Sequence, residues 1–415
     1  MTPHGRGASC TGAEPAGTPI EAARVSSRPM SLLHPPAPGR IAAALGVLAL
    51  VSAAGWARAD APALSLPLGV TTPGPIRQLF LDATLTDARS VTSAGLQLRL
   101  ETANSWSVPT LLTRDGKAVA VQTDAQADAL VLAVRIPWSS MGGGDGWRGR
   151  VATTLGWRFT GFWGGFEDGG IEAWHRLVGS TDFLRNQYPR DHIRIQLADV
   201  GGPTAIDIRS GRLAPGDLVI GTQVLLAAGG VSRVKDAGPS DPAWGVATRF
   251  DLKLPTGELS RAGGSGGTDA SVSLLASAEV TPWLVVHGRT SVAAFSRLAS
   301  DVALQPRTFH YSFEGSAVLL AGSWALVLED RWLSALCEGG WTVVDGGNDD
   351  AYLASAAAAL LRPHNQITVG VRRGIATLSL SEDFTPGSNP RAAVSWFYNS
   401  NAPDVVLAFT LALPL

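Results

Sequence analysis

The chain has 415 residues, 45% of them hydrophobic and only 16% charged, with a formal net charge of −2. Soluble domains carry roughly a quarter of their residues as Asp, Glu, Lys and Arg, so this balance argues against an ordinary soluble protein. The near-neutral charge excludes a nucleic-acid footprint, and beyond the N-terminal region no uncharged apolar run reaches the roughly 18 residues of a membrane-crossing helix.

Residues 1–59 read as a leader and signal peptide. Arg40 precedes an apolar stretch from Ile41 to Ala54, and Ala57-Arg58-Ala59 supplies a small-x-small cleavage pattern, so cleavage is expected after Ala59. Residues 1–29 are rich in Pro, Gly, Ser and Arg and long for such a leader, which makes Met30 the alternative start. A single anchor helix would need a longer apolar run. Cys10 is lost with the leader and leaves Cys337 alone, so no intrachain disulfide is expected in the exported chain.

Residues 60–90 are a polar, proline-containing lead-in, expected in the periplasm or packed inside a barrel mouth. From Leu96 onward apolar and polar residues alternate. Side chains of an extended strand point to opposite faces in turn, so Leu96–Asn104 puts Leu96, Leu98 and Leu100 on one face and Gln97, Arg99 and Glu101 on the other. A short candidate at Lys117–Thr123, a better one at Leu130–Ile136 and a third at Gly149–Thr160 follow.

The period then changes. Across residues 166–179, Ile171, Trp174 and Val178 share one helical face, opposed by Asp168, Glu172, His175 and Arg176. An amphipathic helix is expected there, in the lumen, across a mouth or in the periplasm, although Gly169-Gly170 weakens its start.

Strands resume at His192–Asp199, Ala205–Arg209 and Asp217–Ala227. In Val246–Leu254 the apolar face is Val246, Thr248, Phe250, Leu252 and Leu254, and the polar face carries Arg249, Asp251 and Lys253. Hairpins are expected for Asp269–Val280 with Trp283–Phe295, Thr308–Leu320 with Ser323–Leu333, and Tyr352–Leu361 with Gln366–Arg373. Ala392–Asn399 and Val405–Leu413 finish the chain. The connections 229–243, 256–268, 338–350 and 378–391 are long and rich in Gly, Asp and Ser, whereas those near 281, 321 and 363 are short. Bacterial barrels show that asymmetry between their two sides.

Many of these segments run to about ten residues, the length of a tilted membrane-crossing strand. Trp324 and Trp332 share a face with Leu326 and Leu328, and eight residues at ~3.3 Å, tilted by roughly 40°, set them about 20 Å apart, near the spacing of interfacial aromatic girdles. The expected fold is all-β, an antiparallel transmembrane barrel of about 12–16 strands, with 14 favoured, spanning residues 91–415 with one inserted amphipathic helix.

Several segments resemble the DUF3187 family, a group of bacterial outer-membrane proteins without an assigned activity. They are Gly74-Pro75-Ile76-Arg77, Gly164-Gly165-Phe166-Glu167-Asp168 with Ile171-Glu172-Ala173-Trp174-His175-Arg176-Leu177, Tyr188-Pro189-Arg190-Asp191, and Leu252-Lys253-Leu254-Pro255-Thr256-Gly257. The resemblance implies an outer-membrane barrel and supplies no mechanism. The last strand also resembles the C-terminal recognition signal of outer-membrane proteins, although it ends in Pro414-Leu415 rather than an aromatic residue. Outer-membrane lipid and the assembly machinery are thus the expected partners.

Glu172-x-x-His175 with Asp168 has the spacing of a helix-bundle metal ligand pair, but such sites draw matching ligands from other helices, and the chain has no second motif. No metal and no cofactor are expected. His287 and Ser291 share a lumenal face with Arg289, yet four residues along a strand is ~13 Å, beyond nucleophile–base reach, so an enzyme is not expected. The run Gly263–Gly267 is followed by no Lys-Ser/Thr and no helix, and reads as a mobile loop rather than a phosphate loop. The residues expected to line the lumen or touch a solute are Asp168, Glu172, His175, Arg176, Arg249, Asp251, Lys253, Arg289, Glu329 and Arg331. Their mixed signs fit passive passage or binding of a small solute. The rival is a structural or assembly-related barrel packed shut by ion pairs, with the helix as plug.

Overall fold

A computed structural model describes residues 64–72, 74–141, 147–165, 169, 189–234, 242–344, 355–384 and 405–415. The signal region, the helix expected at 166–179 (with Asp168, Glu172, His175 and Arg176) and the strand expected at Ala392–Asn399 lie outside them, Gly169 apart.

The described residues form seventeen strands. In chain order these are β1 (Gly95–Trp106), β2 (Thr110–Arg114), β3 (Lys117–Pro137), β4 (Val151–Trp163), β5 (Arg194–Asp199), β6 (Thr204–Ile208), β7 (Arg212–Pro215), β8 (Leu218–Gly229) and β9 (Trp244–Leu254). They continue with β10 (Asp269–Thr281), β11 (Leu284–Ala294), β12 (Phe309–Ala321), β13 (Trp324–Leu333), β14 (Thr342–Val343), β15 (His364–Arg373), β16 (Ala376–Phe384) and β17 (Val405–Pro414). Twelve of them close a wall in the order β1, β3, β4, β8, β9, β10, β11, β12, β13, β15, β16, β17. The ring shuts where β17 pairs with β1, from Gly95↔Pro414 to Asn104↔Val405. Every neighbour in the ring is antiparallel, and closure leaves the wall no unpaired edge.

Twelve wall strands replace the fourteen favoured from the sequence. Lys117–Thr123 and Leu130–Ile136 are two parts of one 21-residue strand, β3. The segments near His192 and Ala205 became β5 and β6, which pair beside the upper half of β3 rather than in the wall. The strand expected over Tyr352–Leu361 ends instead in a short helix, α1 (Ala356–Leu361), and β15 makes its hairpin with β16, most of which lies in the loop expected at 378–391. A period of two marks extended chain; it does not say which neighbour the chain will pair with.

Short turns gather at one end of the barrel. Two-residue connections join β10 to β11, β12 to β13 and β15 to β16. Gly322 and Gly374 there have φ of +62° and +55°, the left-handed backbone that two-residue hairpins require. Gly95 and Pro414 lie at this end too. The connection 230–243 also emerges here, correcting its assignment to the long-loop side. The reason is parity: 230–243 and 255–268 flank the single strand β9, so they must leave opposite ends.

At the long-loop end, β2, β5, β6 and β14 extend the sheet around the upper half of β3. They and the loops enclose the main apolar core, including Leu112, Val121, Phe162, Ile195, Ile206, Leu304 and Leu336. β7 continues the line of β8 across a bulge, where the Gly216 N–H reaches the Arg158 carbonyl at 2.7 Å.

The wall's two faces divide as the alternation requires. Phe250, Leu274, Phe313, Leu328, Leu380 and Leu407 are exposed on the outside. Trp244, Trp283 and Trp324 ring the short-turn end, and Phe309, Tyr311 and Phe313 lie toward the other. The inward residues are buried around most of the wall and partly exposed on β3 and β4 toward the short-turn end, as at Ala133, Arg135 and Thr154.

Candidate functional site

The inward face of the wall is polar, and what it encloses is the chain's own N-terminal segment. Residues 64–92 enter near the short turns, climb to a 3-10 turn at Arg77–Leu79, and descend again to the start of β1. The path follows from who holds each residue. Arg372 donates to the carbonyls of Leu64 (3.0 Å), Leu66 (2.6 Å) and Pro67 (3.3 Å). The Leu68 and Val70 N–H groups donate to the Glu329 carboxylate at 2.9 and 3.1 Å, and Arg99 donates to Gly69 O at 2.7 Å. At the top, Ser265 N–H bonds Leu79 O at 3.1 Å. On the way down the Leu81 N–H reaches Asp269 (2.9 Å), the Ala88 N–H reaches Ser277 (2.9 Å), and Arg135 donates to Ser90 O (2.9 Å).

Three layers divide this interior. Next to the short turns, Leu68 and Val70 pack on Val285, Val318, Ala325 and Val327. Gly370 faces Leu68 so closely that a Cβ would come within 2.6 Å of its Cδ2, so the close approach needs glycine there. The middle layer is ionic. Glu314 bridges Arg289 (2.9 Å) and Arg331 (2.6 Å), and Arg331 also pairs with Asp82 of the N-terminal segment. Glu101 bridges Arg99 (2.8 Å) and Arg158 (3.0 Å) and accepts from the Thr71 hydroxyl (2.6 Å). In the uppermost layer Ile76, Leu79 and Phe80 enter the apolar core of the long-loop end, with Phe80 stacked on Phe295 at 5.1 Å.

The six sequence-selected residues that the structure describes all face inward and are buried: Arg249, Asp251, Lys253, Arg289, Glu329 and Arg331. They form separate groups. Arg249 pairs with Asp251 along its own strand at 2.7 Å, an approach that depends on Gly221 beneath it, where a Cβ would lie 2.3 Å from the guanidinium. Lys253 is bound at the long-loop end to Asp217 (2.6 Å), Ser265 Oγ (2.7 Å) and Asp269 (3.3 Å). Arg289 pairs with Glu314 of β12, and Glu329 and Arg331 bond to the N-terminal segment. Sequence reasoning missed Asp82 and the backbone groups of Leu64–Ala83 as their partners. That stretch has no period to read, and its proline content was the one sign that it is neither strand nor helix.

The chemistry open to this arrangement is hydrogen bonding and charge pairing. His287 is committed to Ser277 (2.8 Å) and to the Ser65 carbonyl (2.8 Å), and Ser291 to Ser312 (2.7 Å), so the two do not meet as a dyad. Burial pushes the Cys337 thiol, in the loop after β13, up to about 12, so it stays protonated. Among the described residues no group of three His, Cys, Asp or Glu is placed to hold a metal.

No family model matches the chain, and no curated protein does. Among solved structures it is similar to an outer membrane channel from Pseudomonas putida F1, at 10% identity and a TM-score of 0.39, over 78% of this chain and 96% of that one. It is similar to a Pseudomonas aeruginosa FadL homologue at 9% identity and 0.34, over 87% and 97%. A third is the Pseudomonas putida toluene transporter TodX, at 8% and 0.33, over 83% and 98%.

Proposed function

We propose that the protein is an outer-membrane barrel whose polar lumen binds or passes a small solute, with residues 64–92 as an internal gate. The carrying observation is how that segment is held from the short-turn end to mid-depth. Its carbonyls and N–H groups bond to Arg99, Glu329, Arg331 and Arg372 of the wall, so water or a polar solute can replace each contact in kind. The outer face supports the location: grease between two aromatic zones, with both ends of the wall at the short-turn side, as in bacterial barrels. The resemblance to DUF3187 fits the same place. Export by a cleaved signal and insertion by the assembly machinery belong to this reading.

A permanently sealed barrel is the second reading, favoured by the apolar anchor of Ile76, Leu79 and Phe80 and by the close filling of the lumen around the segment. Liposome swelling separates the two. Protein lacking residues 64–92 is expected to admit small solutes freely, and the full chain to admit them slowly with a sharp size limit. If the shortened barrel swells liposomes and the full chain never does, the segment is a seal and the gate is abandoned.

The location has its own test. Leu328 lies midway along the outer face of β13, 52% exposed. Leu328→Arg should cost about 2–4 kcal/mol when the barrel folds into lipid vesicles, read from urea titrations. An unchanged midpoint would mean that lipid never covers this face.

A further inference from the structure

Between the descending arm of the N-terminal segment and β11–β13 lies a cavity of about 30 Å³, lined among others by Arg77, Asp82, Arg289, Ser291, His310 and Arg331. Its lining is lopsided in charge. Three guanidiniums border it; Asp82 pairs with Arg331, and Glu314 with Arg289 and Arg331, which leaves one positive charge in excess. The Arg289 side chain, 1% exposed, sends Nη2 to Ser312 Oγ at 2.7 Å and to Glu314 at 2.9 Å. Its buried Nε and Nη1 have no acceptor from the protein. Arg77 donates through Nη2 to Ser334 O at 3.3 Å, and its buried Nη1 also has none.

His310 borders the cavity from β12. The Tyr311 N–H donates to Ser334 Oγ at 3.1 Å, and the same hydroxyl lies 3.2 Å from His310 Nδ1. Unpartnered donors from β11 and from the N-terminal segment thus border one small cavity, beside the stack of Phe295 on His310 at 4.2 Å. Buried donors require an acceptor, and an excess of positive charge favours one that is negative.

We propose that this cavity binds a small monovalent oxyanion of formate size. The volume sets the upper limit, since a single water occupies about 10–15 Å³ by the same measure; an aromatic acid or a sugar phosphate would not fit. The site bridges wall and N-terminal segment, and it stands whether or not the barrel conducts.

The test uses the refolded full chain in detergent, titrated with sodium formate at an ionic strength held constant with sodium gluconate, whose anion is too large to enter. Formate is expected to raise the unfolding temperature beyond gluconate alone, as a ligand bound only to the folded state must. Arg289→Gln and Arg77→Gln should each shift the onset of that rise to at least tenfold higher formate. Should Arg289→Gln fail to refold, Arg77→Gln decides, because that side chain makes only one hydrogen bond to a carbonyl. A wild-type response equal to that of gluconate, meaning water alone fills the cavity, overturns the proposal. So does a formate response that the refolded variants leave unmoved.

Discussion

Arg331→Met is expected to detach the N-terminal segment from the wall. Arg331 is 2% exposed, and its guanidinium meets Asp82, the Val70 carbonyl (3.3 Å), Thr72 Oγ1 (3.4 Å) and the Ala83 carbonyl (3.2 Å) on that segment. Toward the wall its Nε meets Glu314 at 2.6 Å. Methionine fills the space and removes the charge, leaving the buried Glu314 and the partly buried Asp82 short of a partner. Breaking a buried pair on one side costs about 3–5 kcal/mol. The loss should appear as a lower urea midpoint and as new protease cleavage within residues 64–92. Arg331→Lys keeps the charge but not the planar fork, so it should recover only part. Adding Asp82→Asn to Arg331→Met should recover some of the loss, because the stranded charge is gone. If the Met variant unfolds within about 0.5 kcal/mol of wild type with its N-terminal segment still protected, the ionic layer does not hold that segment.

Lys253→Met should be as damaging, at the other end of the lumen. The ammonium is 2% exposed and donates to Asp217 (2.6 Å), Ser265 Oγ (2.7 Å) and Gly267 O (3.0 Å), with Asp269 at 3.3 Å. Asp269 also accepts from the Leu81 N–H at 2.9 Å and the Ser296 N–H at 2.9 Å, and Asp217 accepts from the Gly257 N–H at 2.7 Å. One nitrogen therefore ties together the bulge before β8, the loop 255–268, the head of β10, the N-terminal segment and the loop after β11. Removing it strands two buried carboxylates, again about 3–5 kcal/mol. Hydrogen exchange should show residues 255–268 and 295–300 losing protection together. Protection lost at only one of these loops would show that Lys253 does not couple them.

These two positions show how far the amino-acid order could be read. Alternation placed Arg249, Asp251 and Lys253 on the polar face of β9, because a strand's side chains must alternate whatever lies on either side. It could not tell that Arg249 and Asp251 pair with each other while Lys253 reaches the bulge before β8, the loop 255–268 and the head of β10. The run Gly263–Gly267 read as a mobile loop for want of a phosphate-binding lysine. In the folded chain it wraps the Lys253 ammonium, and Gly264 approaches Asp217 so closely that a Cβ would lie 2.4 Å from its carboxylate. Glycine was needed there for space, a requirement invisible until the partner is known.

The amino-acid order by itself determined the class of structure: short extended segments greasy on one side, no uncharged apolar run beyond the N-terminal region long enough for a membrane helix, and an outer surface suited to lipid. Those properties are local, set by a two-residue period and by composition. Tertiary structure decided how many strands the wall takes, which end each loop leaves, and that the aperiodic stretch before β1 fills the lumen. Each depends on pairing between residues far apart in the chain, such as Glu329 with Leu68 or Lys253 with Asp217. A strand's own sequence records which side is polar; it carries no record of the group that will satisfy that polarity.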